Sequence, residues 1–281
     1  DPAFPVLFLS LSILMVGQGL QSSLLGMAAS AHGFAETITG IVMAGYFVGF
    51  IFGSVLVPRL VGNVGHIRVF AALASLASVC VVLHTIIPNP IIWFLIRIIS
   101  GISFSGLYVV IESWLNEVST NETRGTALSL YMITQFTGMA IGQTFLTVDE
   151  PTGFLLFVIS SIFISLALVP VSLTKISAPA FDSAEPLKFK DLIRISPSGV
   201  FTCMAAGITS SALYTMGSVA GTELGMSSKE IAQFMSFLLF GGIVLQWPVG
   251  RISDRTDRRY VIAGVCIIAA SMLMVMAMWD F

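Results

Sequence analysis

The chain has 281 residues, of which only 10% are charged and 56% apolar, with 21 Phe, 13 Met and a net charge of −2. Soluble domains carry roughly 25% charged residues, and so few charges could not cover this much apolar surface in water. The composition excludes a nucleic-acid binder, which needs a basic face, and points to an all-α protein dissolved in a lipid bilayer.

A spanning helix needs about 20 largely apolar residues. Nine such runs follow one another: 5–29, 37–59, 67–87, 91–114, 126–147, 153–174, 198–220, 230–250 and 260–280. The breaks carry turn chemistry or charge: His32-Gly33, Gly62-Asn63, Pro88-Asn89-Pro90, Thr120-Asn121, Pro151-Thr152, Ser196-Pro197 and Ser227-Ser228. Most are short, which makes consecutive helices antiparallel neighbours. Only the segment 175–197 is long and polar. The organisation read from this order is a six-helix bundle over 1–174, a linker over 175–197 and an incomplete second bundle over 198–281. Cys80, Cys203 and Cys266 lie far apart inside apolar runs and read as small buried hydrophobes, without metal-ligand spacing.

Positive charge orients the spans, because cytoplasmic loops collect Lys and Arg. Arg59, Arg68, Arg124, Lys175, Lys188, Lys190, Arg194, Arg251, Arg255, Arg258 and Arg259 fall on one side if the spans alternate. The other side has Lys229 alone, beside Glu36, Asp149, Glu150, Glu223 and Glu230. The N-terminus and the even-numbered loops are therefore expected in the cytoplasm. Asn121-Glu122-Thr123 matches a glycosylation sequon, but on this topology its loop is cytoplasmic and the match carries nothing.

The strongest local pattern is Gly250-Arg251-Ile252-Ser253-Asp254-Arg255-Thr256-Asp257-Arg258-Arg259. It sets a small residue at a helix end, then an acid, then a cluster of arginines. Such an acid can accept from the free N–H groups of a neighbouring helix N-terminus, and the arginines can pair with it. The expected result is a latch on the cytoplasmic face built from Gly250, Asp254, Arg255, Arg258 and Arg259. The bland alternative is an ordinary positive-inside loop.

This stretch resembles the loop signature of the major facilitator superfamily, Gly-x-x-x-Asp-Arg-x-x-Arg-Arg, which recurs after the second and eighth helices. The first-half counterpart reads Gly53-Ser54-Val55-Leu56-Val57-Pro58-Arg59, then Gly65-His66-Ile67-Arg68, and it lacks the acid. Arg97-Ile98-Ile99-Ser100-Gly101 resembles the superfamily's fourth-helix arginine motif. Tyr108, Glu112-Ser113-Trp114-Leu115-Asn116-Glu117 and Arg124-Gly125 are similar to the YcaD-like branch of bacterial permeases. The resemblance implies a multi-pass protein of the bacterial inner membrane with helical bundles of the major facilitator type. About nine transmembrane helices of an expected twelve are then present. It would also dock Asp254 near Gly125 and Thr126. At Gly138-Met139-Ala140-Ile141-Gly142-Gln143, Gln143 stands where antiporters of the superfamily carry proline, which weakens an antiporter assignment.

Arg97 is the most informative single residue. A guanidinium at bilayer depth costs roughly 2.5–3.5 kcal/mol on insertion scales, so it faces a wet cavity or a partner, or snorkels to the outer headgroups. At about 1.5 Å per residue from position 91 it lies about 10 Å below the outer boundary. Gln18 and Gln21 on the first helix and Tyr214 on the seventh reach comparable depth. With Gln135 and Gln143 they complete the candidate substrate cavity. Glu112 lies about 22 Å further along the fourth helix, where it can carry a proton or pair with a loop arginine such as Arg124. Gly45, Gly49 and Gly53, and Gly138 and Gly142, recur every four residues and let backbones approach closely, whether at moving or at static seams.

Two functional classes fit. The first is a secondary transporter of a small solute working by alternating access, with proton coupling open. The second is a transport-inactive assembly factor or receptor, monomeric or in a membrane-protein complex, that keeps the fold. A copper(I) importer is a minor third, on Met272, Met274, Met276 and Met278, although alternate positions span both sides of a helix. No cofactor is implied. An enzyme is not expected, since no His-Glu-x-x-His or Gly-x-Ser-x-Gly pattern occurs, and His32, His66 and His84 lie near different span ends.

Overall fold

The computed structural model describes residues 3–120, 123–173 and 189–278, with helix as the sole regular structure among them. The long helices are α1 (Ala3–Ala31), α2 (Glu36–Val64), α3 (His66–Ile86), α4 (Pro90–Val118) and α5 (Arg124–Thr144), the last closed by a 3₁₀ turn, Phe145–Thr147. The sixth span is α6 (Phe154–Leu166) continued by α7 (Leu168–Leu173). A short α8 (Phe189–Ile195) precedes α9 (Pro197–Glu223), α10 (Ser228–Arg255) and α11 (Arg258–Met278). The nine apolar runs are thus each helical. Among the described residues six helices are both long and apolar enough to cross a membrane: α1, α2, α3, α4, the α6–α7 rod and α10.

Helix starts follow the local chemistry. Asn89 Oδ1 accepts from the N–H groups of Ile91 (3.0 Å) and Ile92 (3.3 Å), with Pro90 in the first helical position of α4. Ser196 and Pro197 do the same for α9. Ser227 and Glu230 close a reciprocal capping box on α10, the Ser227 N–H donating to Glu230 at 2.8 Å and the Glu230 N–H to Ser227 Oγ at 3.3 Å.

Two expected boundaries move. The break at Gly62-Asn63 is helical. The chain turns instead at Gly65, whose φ of +87° suits glycine. Likewise α10 runs through Arg255, so Gly250 lies inside a helix rather than at its end, and only Thr256 and Asp257 separate α10 from α11.

By contact the chain forms two compact units, Asp1–Leu239 and Phe240–Phe281. In the first, α2 packs along α4 and α1 packs on α5, α6 and α9. Glycines set the closest approaches. A Cβ on Gly49 would strike the Ile98 carbonyl, and one on Gly101 the Tyr46 carbonyl, so α2 and α4 touch backbone to backbone. Gly19 and Gly142 do the same between α1 and α5. Serines add polar links. Ser78 on α3 shares hydrogen bonds with Ser161 (2.7 Å) and Ser165 (2.8 Å), and Ser160 donates to the Gly17 carbonyl at 2.8 Å. The outward faces remain apolar, with Ile51, Phe52, Val55, Ile91 and Phe154 exposed, as a bilayer-facing surface requires. In the second unit, Asp257 Oδ1 accepts from Arg259 N at 2.9 Å and caps α11.

The cysteine expectation holds for Cys80 only. Cys203 on α9 and Cys266 on α11 are exposed.

Candidate functional site: a cavity around Arg97

The glycine seam between α2 and α4 positions the central charge. Because Gly101 brings α4 against the Tyr46 carbonyl, the Tyr46 ring lies beneath Arg97, whose guanidinium carbon is 4.5 Å from the ring centroid. Arg97 is 6% exposed and its Nε is buried without a hydrogen-bond partner. From α1, Gln18 completes the arrangement. Its Nε2 donates to the Tyr46 hydroxyl at 3.2 Å, and its Oε1 accepts from the Tyr108 hydroxyl at 2.6 Å. One glutamine thereby ties α1 to α2 and α4 at the depth of the arginine.

These groups border a cavity of about 390 Å³ within the first unit, whose walls come from α1, α2, α4, α5 and α9. Gln18, Gln21, Arg97 and Tyr214, which the sequence grouped by depth, all line it, and so does Gln135. Gln143 does not. It is buried between α5 and α1, its Nε2 donating to the Gly19 carbonyl at 2.7 Å and to Ser22 Oγ at 3.2 Å, and so it fastens the seam. Phe47, Phe136, Met132 and Met139 supply apolar wall. α5 and α9, the helices that contribute Gln135 and Tyr214, are both absent from the six described helices that are long and apolar enough to cross a membrane. Gln135 of α5 and Ser210, Ser211, Tyr214 and Thr215 of α9 face the hollow, where lipid solvation is not needed.

A second hollow, about 500 Å³, lies toward the far end of α4 and is lined by Phe50, Ser54, Ser105, Val109 and Glu112. Tyr108 and Gln135 line both hollows and form their common wall. Glu112 accepts from the Tyr131 hydroxyl at 2.7 Å. The ion pair with Arg124 that sequence order suggested does not form; a tyrosine one helix away occupies the carboxylate.

The remaining candidates separate from this centre. His32 and His84 both pack on Trp93, with ring centroids at 6.0 and 5.1 Å, so two of the three histidines that the sequence left apart share one aromatic cluster. His66 lies at the other end of α3, 3.1 Å from Ser113 Oγ. In the loop signature, the side chains of Asp254, Arg255 and Arg258 lie outside the described residues, while Arg259 is exposed at the start of α11. Met272, Met274 and Met278 are exposed along α11, and the Met276 side chain lies outside the described residues.

Tyr46 and Tyr108 also line the cavity, where the sequence reading placed neither of them. A signal existed, since a tyrosine amid an apolar run needs a partner for its hydroxyl.

A multi-pass helical bundle hollowed around a buried arginine defines the class: a membrane protein with a polar chamber inside its apolar rods. The chain belongs to the Major Facilitator Superfamily, which it matches over residues 7–281. Over 229 residues it is 30% identical to a protein of Salmonella arizonae named an uncharacterized MFS-type transporter YcaD, an overlap that covers 79% of this chain and 59% of that protein. The same-named protein of Escherichia fergusonii is 29% identical over the same coverage. The chain therefore spans about 59% of the length of the curated relatives it matches. Among solved structures it is similar to a bacterial homolog of the human lysosomal transporter Spinster, with a TM-score of 0.65 and 14% identity, covering 92% of this chain and 64% of that one. It is also similar to the nucleoside transporter NupG, with a TM-score of 0.60 and 14% identity, covering 89% of this chain and 68% of that one. At this identity the structural likenesses establish the fold.

Proposed function

We propose that this chain is the solute-binding part of a secondary transporter that moves a small molecule across the bacterial inner membrane by alternating access, with its N-terminus in the cytoplasm. The observation that carries the reading is Arg97, a nearly buried charge set at the wall of a cavity lined by helices of the first six and by α9. A charge at that depth is costly, and a hydrated solute chamber explains its retention better than a static role does. The charge distribution supports the orientation. All thirteen Lys and Arg except Arg97 and Lys229 fall on one side of the alternating spans. Ser30 near the end of α1 bonds Glu223 at the end of α9 at 3.2 Å, on the side without the basic loops.

The test is side-specific labelling. Ser211, which lines the cavity, is replaced by cysteine after Cys80, Cys203 and Cys266 have been changed to alanine. A membrane-impermeant maleimide is then applied to right-side-out and inverted vesicles. Alternating access predicts labelling from either side, with a transported solute raising one rate while lowering the other. Labelling unchanged by every solute, or confined to one side, overturns it.

Coupling to protons fits the second hollow. Glu112 shares that hollow with Tyr108 and Gln135, which also wall the first, so protonation there can be felt at the solute chamber. Glu112→Gln is expected to abolish accumulation driven by a pH gradient while leaving solute exchange intact. Equal loss of both sinks the coupling role.

A further inference from the structure

We infer that the solute is a small organic monoanion with an apolar body, its carboxylate held by Arg97 and the Tyr46 hydroxyl; this rests on reading the cavity as the solute site. Charge is the first argument. Among the described residues no Asp or Glu lines the chamber, and the nearest acid along α4, Glu112, is about 22 Å away by helix rise and already engaged by Tyr131. The guanidinium is thus an uncompensated charge whose Nε is buried without a partner. A cationic solute would meet like-charge repulsion in a poorly screened site. A zwitterion would bring an ammonium for which the wall has no carboxylate.

The hydrogen-bonding inventory is the second, independent argument. Both ends of the Gln18 amide are engaged, and the Tyr108 hydroxyl already donates to Gln18. The Tyr46 oxygen receives a bond from Gln18, which leaves its own O–H to give. Gln21, 2% exposed, adds an amide nitrogen buried without a partner. At Arg97, Tyr46 and Gln21, then, the groups left to bond are donors. The hydroxyls of Ser22 on α1 and of Ser211 and Thr215 on α9 give their protons to carbonyls of their own helices, so these three do not compete with Arg97 as donors. A planar carboxylate matches a guanidinium fork and a phenolic O–H.

The rest of the wall specifies the body. Phe47, Phe136 and the two methionines present apolar faces, and about 390 Å³ suits a compact aromatic or branched acid better than a sugar, which would leave its many hydroxyls unmatched.

Binding to the purified chain in maltoside detergent tests this by isothermal titration with three near-isosteres: 3-phenylpropionate, 3-phenylpropionamide and 3-phenylpropylamine. The carboxylate is expected to bind at least tenfold more tightly than the amide, and the amine not at all. Arg97→Lys should keep that preference within a few-fold. Arg97→Gln should erase it, in protein that still elutes as a monodisperse peak with an unchanged helical spectrum. Tyr46→Phe, which removes one hydroxyl, covers the case in which Arg97→Gln does not fold, and should weaken the carboxylate three- to tenfold and the amide not at all. Equal binding of acid and amide, or no binding of acetate, benzoate, octanoate or 3-phenylpropionate, overturns the anion assignment. Filling the chamber with Ser211→Trp separates the two levels of the argument. If the bound acid is indifferent to that change, the cavity is not the solute site, and the reading beneath this inference fails with it.

Discussion

The seam between α2 and α4 and the seam between α1 and α9 are both built on small residues, yet they differ in what the small residue meets. At Gly49 and Gly101 a Cβ would strike backbone carbonyls of the opposite helix, which cannot move aside. At Gly26 a Cβ would first meet side-chain atoms, Ser218 Oγ at 2.5 Å and Val219 Cγ2 at 2.9 Å, with the Thr215 carbonyl further off at 3.3 Å. The first seam fixes Tyr46 under Arg97 and has one geometry. The second joins α9 to the first six helices through groups that can rearrange, with Ser30 and Glu223 touching at its exposed end. Rigid pairs inside a bundle and an adjustable seam against α9 are what a rocking motion about a chamber requires.

That contrast can be broken by substitution. Gly49→Leu should have the largest effect, about 3 kcal/mol or more, since overpacking here is against backbone, and the monomer peak in fluorescence-detected gel filtration should vanish. A folded Gly49→Leu protein of ordinary stability would show that the seam is softer than its geometry. Gly26→Val should cost about 1–2 kcal/mol, because its neighbours can give, while changing side-specific labelling at position 211 more than it changes the melting temperature. If its melting shift matches that of Gly49→Leu, the two seams do not differ. Ser78→Ala, which removes hydrogen bonds to Ser161 and Ser165 between α3 and α6, should cost about 0.6 kcal/mol, the mean for such links between membrane helices, read as a melting shift of a degree or two.

The spans were legible because a bilayer imposes one length and one polarity on every helix, and composition alone reveals that constraint. Most of the chamber was legible for a related reason. Arg97, Gln18, Gln21 and Tyr214 are expensive at that depth, and helix rise suffices to match their levels. Depth does not give azimuth, however. Gln143 has the right level and the wrong side, and it bonds to Gly19 across a seam that only the packed pair defines. Tyr46 escaped notice because it follows Gly45 in the glycine repeat, which drew attention to packing. Glu112 was read against loop arginines because charge pairing is visible in sequence, whereas a hydroxyl from Tyr131 on the next helix is not. The extension of α10 through Arg255 was hidden by the fall in hydropathy, which marks the bilayer edge and not the helix end.

The modest hydropathy of α5 bears on how the protein is made. A segment carrying Thr134, Gln135, Thr137 and Gln143 gains less than its neighbours on leaving the translocon for lipid alone. Gln143 finds its acceptors on α1, at Gly19 and Ser22. α1 therefore serves as a partner already in the membrane when α5 arrives, and the step that commits α5 to the bilayer is also the step that closes one wall of the chamber. Weakening that contact should appear during biosynthesis, as α5 failing to integrate, before it appears in the stability of the finished protein.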